Sequence, residues 1–414
     1  MAKKTLGEVA EYINGRAFKP DEWEDDGLPI IRIQNLTGST DVCNRTTKTY
    51  EEKYLVIDGD LLFAWSASLG AHIWHGENGW LNQHIFKVVP HDGTDKQYLY
   101  YYLLHVVDQL YAKTHGSGMV HITIKPFKNT EIYLPSLPEQ HRIANRIESL
   151  FAKLDEAKEK AQAVVDGVEL RKSAILHKAF TGELTERWRK EHGVGLESWK
   201  IVLLNDCIQK MQNGLAKRSG SIGESYVVLR LANLSEDGFD TSNLREILLD
   251  GKEQETYSLL ENDVIMIRVN GSKDNVGRQL LVPDVKKWAF CDHIIRIRYQ
   301  NNILPDYMVL FSKSDNYRTY VKDHMVSSAG QNTISRKGIA NMAVPVPECD
   351  EQKEIVRTLG VLFNKEQQAK EAAEVVLAQI DTMKKAILAR AFRGELGTND
   401  PKEEWAGEML KAVL

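Results

Sequence analysis

Two stretches of the chain carry apolar residues at alternating four- and three-residue spacings. In the first, Ile143, Ile147, Leu150, Leu154, Ala157, Ala161, Val164 and Val168 follow one another in this way, and Ile175 extends the stripe beyond Arg171. In the second, the series is Ile355, Leu359, Leu362, Ala369, Ala373, Val376, Ile380, Met383 and Ile387, with Glu366 as its polar member. A period near 3.5 residues marks a helix that buries a narrow seam against another helix, as in a coiled coil. Prolines precede each stretch (Pro135, Pro138; Pro345, Pro347) and a glycine follows it (Gly182; Gly394), which is how helices begin and end. About 42 residues at about 1.5 Å each predict a rod on the order of 60 Å.

Ahead of each rod the pattern changes. Short β-branched and aromatic runs are broken by Gly, Asn and Asp, which predicts strands and turns. One helical stretch interrupts each block, near Asp95–Lys113 in the first and Leu304–Asp323 in the second.

The two rods are copies of each other. Displacing the chain by 212 residues lays Pro135–Leu184 on Pro347–Leu396 without a gap, and 21 of the 50 positions are identical. Matches include Glu139-Gln140 on Glu351-Gln352 and Gly182-Glu183-Leu184 on Gly394-Glu395-Leu396. Such self-similarity is the signature of an internal repeat. The blocks are less alike, yet landmarks recur in order. Ile30–Leu36 answers to Val228–Leu234, an alternating strand carrying Arg32 or Arg230 and ending in Asn35 or Asn233. Asp58–Phe63 answers to Glu261–Met266, and Trp80–Val88 to Phe290–Ile297. The pattern predicts an α+β chain: two β-rich domains joined by two long antiparallel coiled-coil helices, with internal twofold pseudo-symmetry. The antiparallel sense is expected because the smallest seam residues (Ala157, Ala161, Ala369, Ala373) lie mid-rod in both copies. The predicted boundaries are 1–136 for the first block, 137–184 for its helix and 185–200 for a connector. The second block takes 201–346, its helix 347–396, and the tail 397–414 is expected to pack near the N-terminus.

The composition is that of an ordinary soluble protein, 43% hydrophobic and 27% charged. No apolar run reaches membrane-span length, and the start shows no apolar signal region, so a cytoplasmic location is expected. Cys43, Cys207, Cys291 and Cys349 are scattered, which suggests neither a zinc site nor a disulfide framework. A net charge of −5 argues against indiscriminate nucleic-acid binding but permits local basic surfaces.

Catalytic signatures are missing. There is no phosphate-binding Gly-x-x-x-x-Gly-Lys loop, no dinucleotide turn, no His-Glu-x-x-His and no nucleophile elbow. Nor is there a tetrapeptide beginning Asn-Pro-Pro or Asp-Pro-Pro of the amino-methyltransferase kind. His84 and His293 recur at matched places inside apolar strand patterns, which fits partly buried, hydrogen-bonded histidines. Asp60 and Asp263 recur where turns lead into strands. No catalytic residue and no metal ligand is assigned.

What the blocks do carry is side chains suited to DNA. In the first these are Arg32, Gln34, Asn35, Ser66, Ser68, Lys113, Ser117, His121 and Lys125; in the second, Arg230, Asn233, Arg268, Asn270, Lys273, Arg278, Ser328, Gln331, Asn332, Arg336 and Lys337. Arginine and lysine suit guanine edges, asparagine and glutamine suit adenine, and serine, threonine and lysine suit phosphates. The polar loops at 116–123 and 327–336 include glycines, which leave backbone amides bare for a phosphate.

The duplicated Pro-x-x-x-Glu-Gln helix ending in Ala-Phe-x-Gly-Glu-Leu, each copy preceded by a variable block, resembles the specificity subunit of type I restriction–modification systems. The likeness spans essentially the whole chain. It implies that each block is a target recognition domain reading one half of a split, asymmetric site in double-stranded DNA. It implies that the helices set the gap between the halves and dock two modification subunits, with restriction subunits joining them. S-adenosylmethionine, ATP and Mg would then belong to those partners and none to this chain, a non-catalytic subunit. A coiled-coil adaptor whose blocks bind protein partners is the alternative.

Overall fold

The computed structural model describes residues 2–112, 122–235 and 238–398. It divides into two units: Met1–Gln162 with Glu374–Leu414, and Ala163–Ala373. Each unit therefore contains one β-rich block and half of each long helix. Among the described residues, no helix is long and apolar enough to cross a membrane.

In the first unit the strands are β1 (Ala2–Thr5), β2 (Ala10–Asn14), β3 (Leu28–Ile31), β4 (Arg45–Thr46), β5 (Leu55–Val56), β6 (Leu61–Ala64), β7 (Gly70–Ile73), β8 (Gly79–Leu81), β9 (Ile85–Pro90) and β10 (Glu131–Leu134). They form sheets ordered β2-β9-β6-β7 and β4-β3-β8-β5, with β1 paired to β10. Every residue of β6 is buried, as expected of an apolar run at an interior position. The helix Lys96–Ala112 covers this core with Tyr98, Leu99, Leu103 and Val106.

The second unit repeats the plan. Its strands are β11 (Lys200–Leu203), β12 (Ile208–Asn213), β13 (Glu224–Leu229), β14 (Glu246–Leu249), β15 (Val264–Ile267), β16 (Val269–Asn270), β17 (Gln279–Leu281), β18 (Trp288–Phe290), β19 (Ile294–Tyr299), β20 (Val326–Ser328), β21 (Gln331–Thr333) and β22 (Ala343–Val346). The sheets run β12-β19-β15-β17 and β14-β13-β18, with β11 paired to β22 and a small ribbon β16-β21-β20. Even the parallel pair recurs: β3 lies parallel to β8 and β13 to β18. The stretch expected to be helical near Leu304–Asp323 is two helices, Pro305–Phe311 and Asp315–His324.

The long helices are Leu137–Asp166, continuing as Val168–Phe180, and Cys349–Phe392. Inside the first unit Thr398 bonds Glu139, and Lys384 pairs with Asp155 at 2.6 Å. Inside the second, Thr185 bonds Glu351 and Arg171 pairs with Glu366 at 2.7 Å. As one number rises the other falls, so within each unit the helical segments run antiparallel.

The helix starts are pinned by the repeated glutamine. Gln140 Oε1 accepts from the Asp95 N–H at 2.8 Å, while its Nε2 donates to the carbonyls of Gly93 and Pro135, both at 2.9 Å. Gln352 makes the same three bonds, to the Leu304 N–H and the carbonyls of Asn302 and Pro347. Both glutamines are fully buried with their amides satisfied, so each helix is fastened to its own block.

The seam differs in part from expectation. Along the first helix every expected position from Ile143 to Val168 is buried or half-buried. Along the second, Ala369, Val376 and Met383 are exposed, and the sheltered series is Ile355, Leu359, Leu362, Glu366, Lys370, Ala373, Leu377, Ile380, Lys384, Leu388 and Ala391. That series averages 3.6 residues per turn, the period of a straight helix. A strict heptad stripe drifts by about 20° per heptad on such a helix, which carries it off the covered face. The tail expected to pack near the N-terminus lies outside the described residues beyond Thr398.

Candidate nucleic-acid interface

The turn carrying Arg32 and Asn35 shows how this surface is built. The predicted strand stops at Ile31, and Ile33–Leu36 forms a single helical turn. Asn35 Oδ1 accepts from the Arg32 N–H at 3.0 Å, and its Nδ2 donates to the carbonyls of Thr40 and Val42. Asn233 repeats this, accepting from the Arg230 N–H at 3.1 Å and donating to the carbonyls of Asp240 and Asn243. An asparagine competing with the backbone for hydrogen bonds ends the strand and closes the loop. Both N–H donors of each amide are taken by backbone carbonyls, and Asn233 is 1% exposed while Asn35 is half-buried. Both therefore shape the loop and are withdrawn as base readers.

Three further candidates change role or place. Ser66 is buried at 2% exposure and Asn332 at 6%. Asn332 donates to the carbonyls of Asn270 and Gly271 and accepts from the Ser327 hydroxyl at 2.6 Å, so it holds the ribbon together. Asn270 Oδ1 caps the following turn by accepting from the Ser272 N–H at 2.9 Å. Lys113, Ser117 and His121 lie outside the described residues.

In the second unit the remaining candidates share one connected surface. Arg230 Nη2 donates to the Asn243 carbonyl at 2.8 Å, bracing the turn from outside. Arg278 reaches the Leu234 carbonyl and Asn275, and Asn275 in turn reaches Asn270 in the ribbon. Arg268 Nη1 donates to the Asp292 carbonyl at 3.2 Å. Arg218, which its sequence context did not single out, faces the Asp292 carboxylate at 3.9 Å and is well exposed. Lys273, Ser328, Gln331, Arg336 and Lys337 are all exposed along the ribbon and the segment after it. The ribbon turns sharply at Ala329 and Gly330, both at positive φ, so its tip is compact.

The first unit offers Gln34, Ser68 and Lys125 as exposed groups, with Arg32 half-buried and its guanidinium 5.8 Å from the Trp23 ring. Lys125 sits near the Ser66–Ser68 loop because the Ile122 N–H donates to the Trp65 carbonyl at 3.1 Å.

The two surfaces share a skeleton. The Trp65 N–H donates to the His84 carbonyl at 3.0 Å; the Arg268 N–H donates to the His293 carbonyl at 2.8 Å, and Ile334 donates to Arg268 as Ile122 does to Trp65. The matched histidines both accept through their backbone carbonyls, with His84 at φ +73; His84 Nδ1 is buried without the hydrogen bond expected of it, whereas His293 Nδ1 faces Asp292. Asp60 and Asp263 are turn residues as expected, accepting from Ile57 and Leu260 at 2.9 Å and pairing with Lys87 and Arg298. At the matched position the side chains differ: Trp65 lies against Phe86, whereas Arg268 is a cation.

Among the described residues one triad of metal-type donors lies close together, Cys291, Asp292 and His293. Cys291 is buried, and burial raises its thiol pKa, whereas a metal needs the thiolate. Asp292 Oδ1 already faces His293 Nδ1 at 3.2 Å.

The type I restriction modification DNA specificity domain matches residues 1–165 and again 199–375. The chain belongs to this family. It is 29% identical over 423 aligned positions to the StySPI specificity subunit of Salmonella potsdam, covering 95% of this chain and 89% of the relative. It is 24% identical over 417 positions to the EcoKI specificity subunit of Escherichia coli K12, covering 94% and 87%. In fold it is similar to the HsdS subunit of Thermoanaerobacter tengcongensis, with a TM-score of 0.63 at 18% identity over 95% of this chain and 97% of that one.

Proposed function

We propose that this chain is the DNA-recognition subunit of a type I restriction–modification complex and carries no catalytic centre of its own. One observation carries the reading: two blocks share matched backbone bonds around Trp65 and Arg268 but present different side chains there. Each block, 1–136 and 201–346, reads one half of a split site in double-stranded DNA. In the second, Lys273, Arg336 and Lys337 hold phosphates while Arg268, Ser328 and Gln331 face base edges. In the first, Gln34, Ser68, Lys125 and Arg32 do the corresponding work, together with the 113–121 segment.

The helices 137–184 and 347–396 act as coiled-coil linkers that set the gap between half-sites and dock two modification subunits, to which restriction subunits add. S-adenosylmethionine, ATP and Mg belong to those partners, and the complex works in the cytoplasm. The test is retention of duplex DNA by the complex from a randomised pool. Enrichment of a split motif supports the reading; capture without sequence preference favours the adaptor alternative.

A further inference from the structure

The second unit contains a charged pair where a helix seam is ordinarily apolar. Arg171 Nε donates to Glu366 Oε2 at 2.7 Å, and the glutamate is only 19% exposed. To get there the arginine lies back across its own helix, where its Nη2 donates to the Val164 carbonyl at 2.8 Å. Gly167 makes the path: a Cβ on it would stand 2.4 Å from Arg171 Nη1. The helix is irregular at this residue, ending at Asp166 and resuming at Val168.

The pair is not repeated. Under the 212-residue repeat, Arg171 corresponds to Met383, Glu366 to Leu154 and Gly167 to Gln379. The first unit therefore has two apolar residues at these positions, Leu154 half-buried and Met383 exposed, and its helices are bridged one residue on by Lys384 and Asp155. We infer that Arg171 and Glu366 are the residues that specify helix partner and register. Helices sharing 21 of 50 residues, among them Leu176, Ala179 and Phe180 on Leu388, Ala391 and Phe392, offer a like helix of a second copy much of the surface they offer each other. In the pairing observed, 171 meets 366. A like-with-like antiparallel pairing in the same register sets Arg171 against Leu154 and Glu366 against Met383, leaving both charges unmatched. A single polar position within a seam fixes register and partner in this way at some cost in stability. The inference stands on this geometry alone and does not depend on the DNA reading.

The test is light scattering on the full chain after size exclusion. Replacing the pair by its first-unit equivalents, Arg171→Met with Glu366→Leu, is expected to leave thermal unfolding near wild type. The share of chain in a dimer should rise roughly tenfold, equivalent to about 1.4 kcal/mol of lost discrimination. Adding Leu154→Glu, Met383→Arg and Gln379→Gly, the last to open the path that Gly167 gives Arg171, moves the ion pair to the other unit and should return the chain to the wild-type mass. A double apolar variant with the wild-type mass distribution overturns the inference. So does one that fails to fold, because the pair would then be a stability element, and so does a transplant that stays mixed.

Discussion

The Thr398 hydroxyl donates to Glu139 Oε1 at 2.6 Å, bringing the end of the second long helix to the start of the first. The same bond, at the same length, joins Thr185 to Glu351 in the second unit. Around it the two sites differ. Both glutamates are buried, but Glu351 is bonded also by the buried Arg189 at 2.6 Å and the Trp199 indole at 2.9 Å. Glu139 takes Arg142 instead, whose side chain is 36% exposed.

Glu351→Ala should therefore be far more damaging than Glu139→Ala. The former strands a buried guanidinium and is expected to cost about 3–5 kcal/mol. The latter leaves Arg142 in contact with water and should cost about 1–2 kcal/mol. Urea unfolding of the two variants reads the difference, and equal losses would contradict it.

Residues that shape the surface and residues that use it should separate by experiment. Lys273→Ala and Lys337→Ala are expected to weaken binding to all sequences, each lowering the salt slope by about one for the phosphate it no longer neutralises. Arg268→Ala should cost about 1–3 kcal/mol on the cognate site and relax one base position. Asn233→Ala should lower stability while leaving sequence preference intact in the folded fraction. Equilibrium binding over a salt series and a panel of single-base variants distinguishes the three outcomes.

Connectivity gives another test. β1 pairs with β10 through Ala2 and Leu134, as β11 pairs with β22 through Lys200 and Val346. In the second unit, the segment from Thr185 to Lys200 links the glutamate-bonded threonine to that strand. In the first unit Thr398 and Ala2 flank the corresponding gap. A chain joined from 414 to 1 by a flexible linker and opened between Glu191 and Ser198 should fold and support methylation of the same site. Gly193 there is in the left-handed region with open space around it, and the segment is a surface loop. Loss of folding, or a changed site, would show that the repeat is not closed in this way.

The repeat, the rods and the β character of the blocks are legible because periodicity and self-similarity are local properties of a sequence. Glu139-Gln140 stands out as a motif, but its role does not: the groups Gln140 binds at Gly93 and Asp95 are more than 40 residues away. Asn35, Asn233 and Asn332 mislead for the same reason, since residue type suggests a base while only the fold reveals the carbonyls that claim the amide. The heptad pattern fails at Ala369, Val376 and Met383, where a straight helix turns a 3.5-residue stripe away from its partner.

The central claim is that each block reads one half of a split DNA site. The most direct measurement is the map of methylated adenines in cells carrying this chain with its modification and restriction partners. It should be compared with cells in which residues 201–346 come from another family member. The account predicts a split, asymmetric motif in the first case, and in the second a change in one half with the other half kept. An unsplit motif, a change in both halves, or methylation indifferent to the exchange would contradict it.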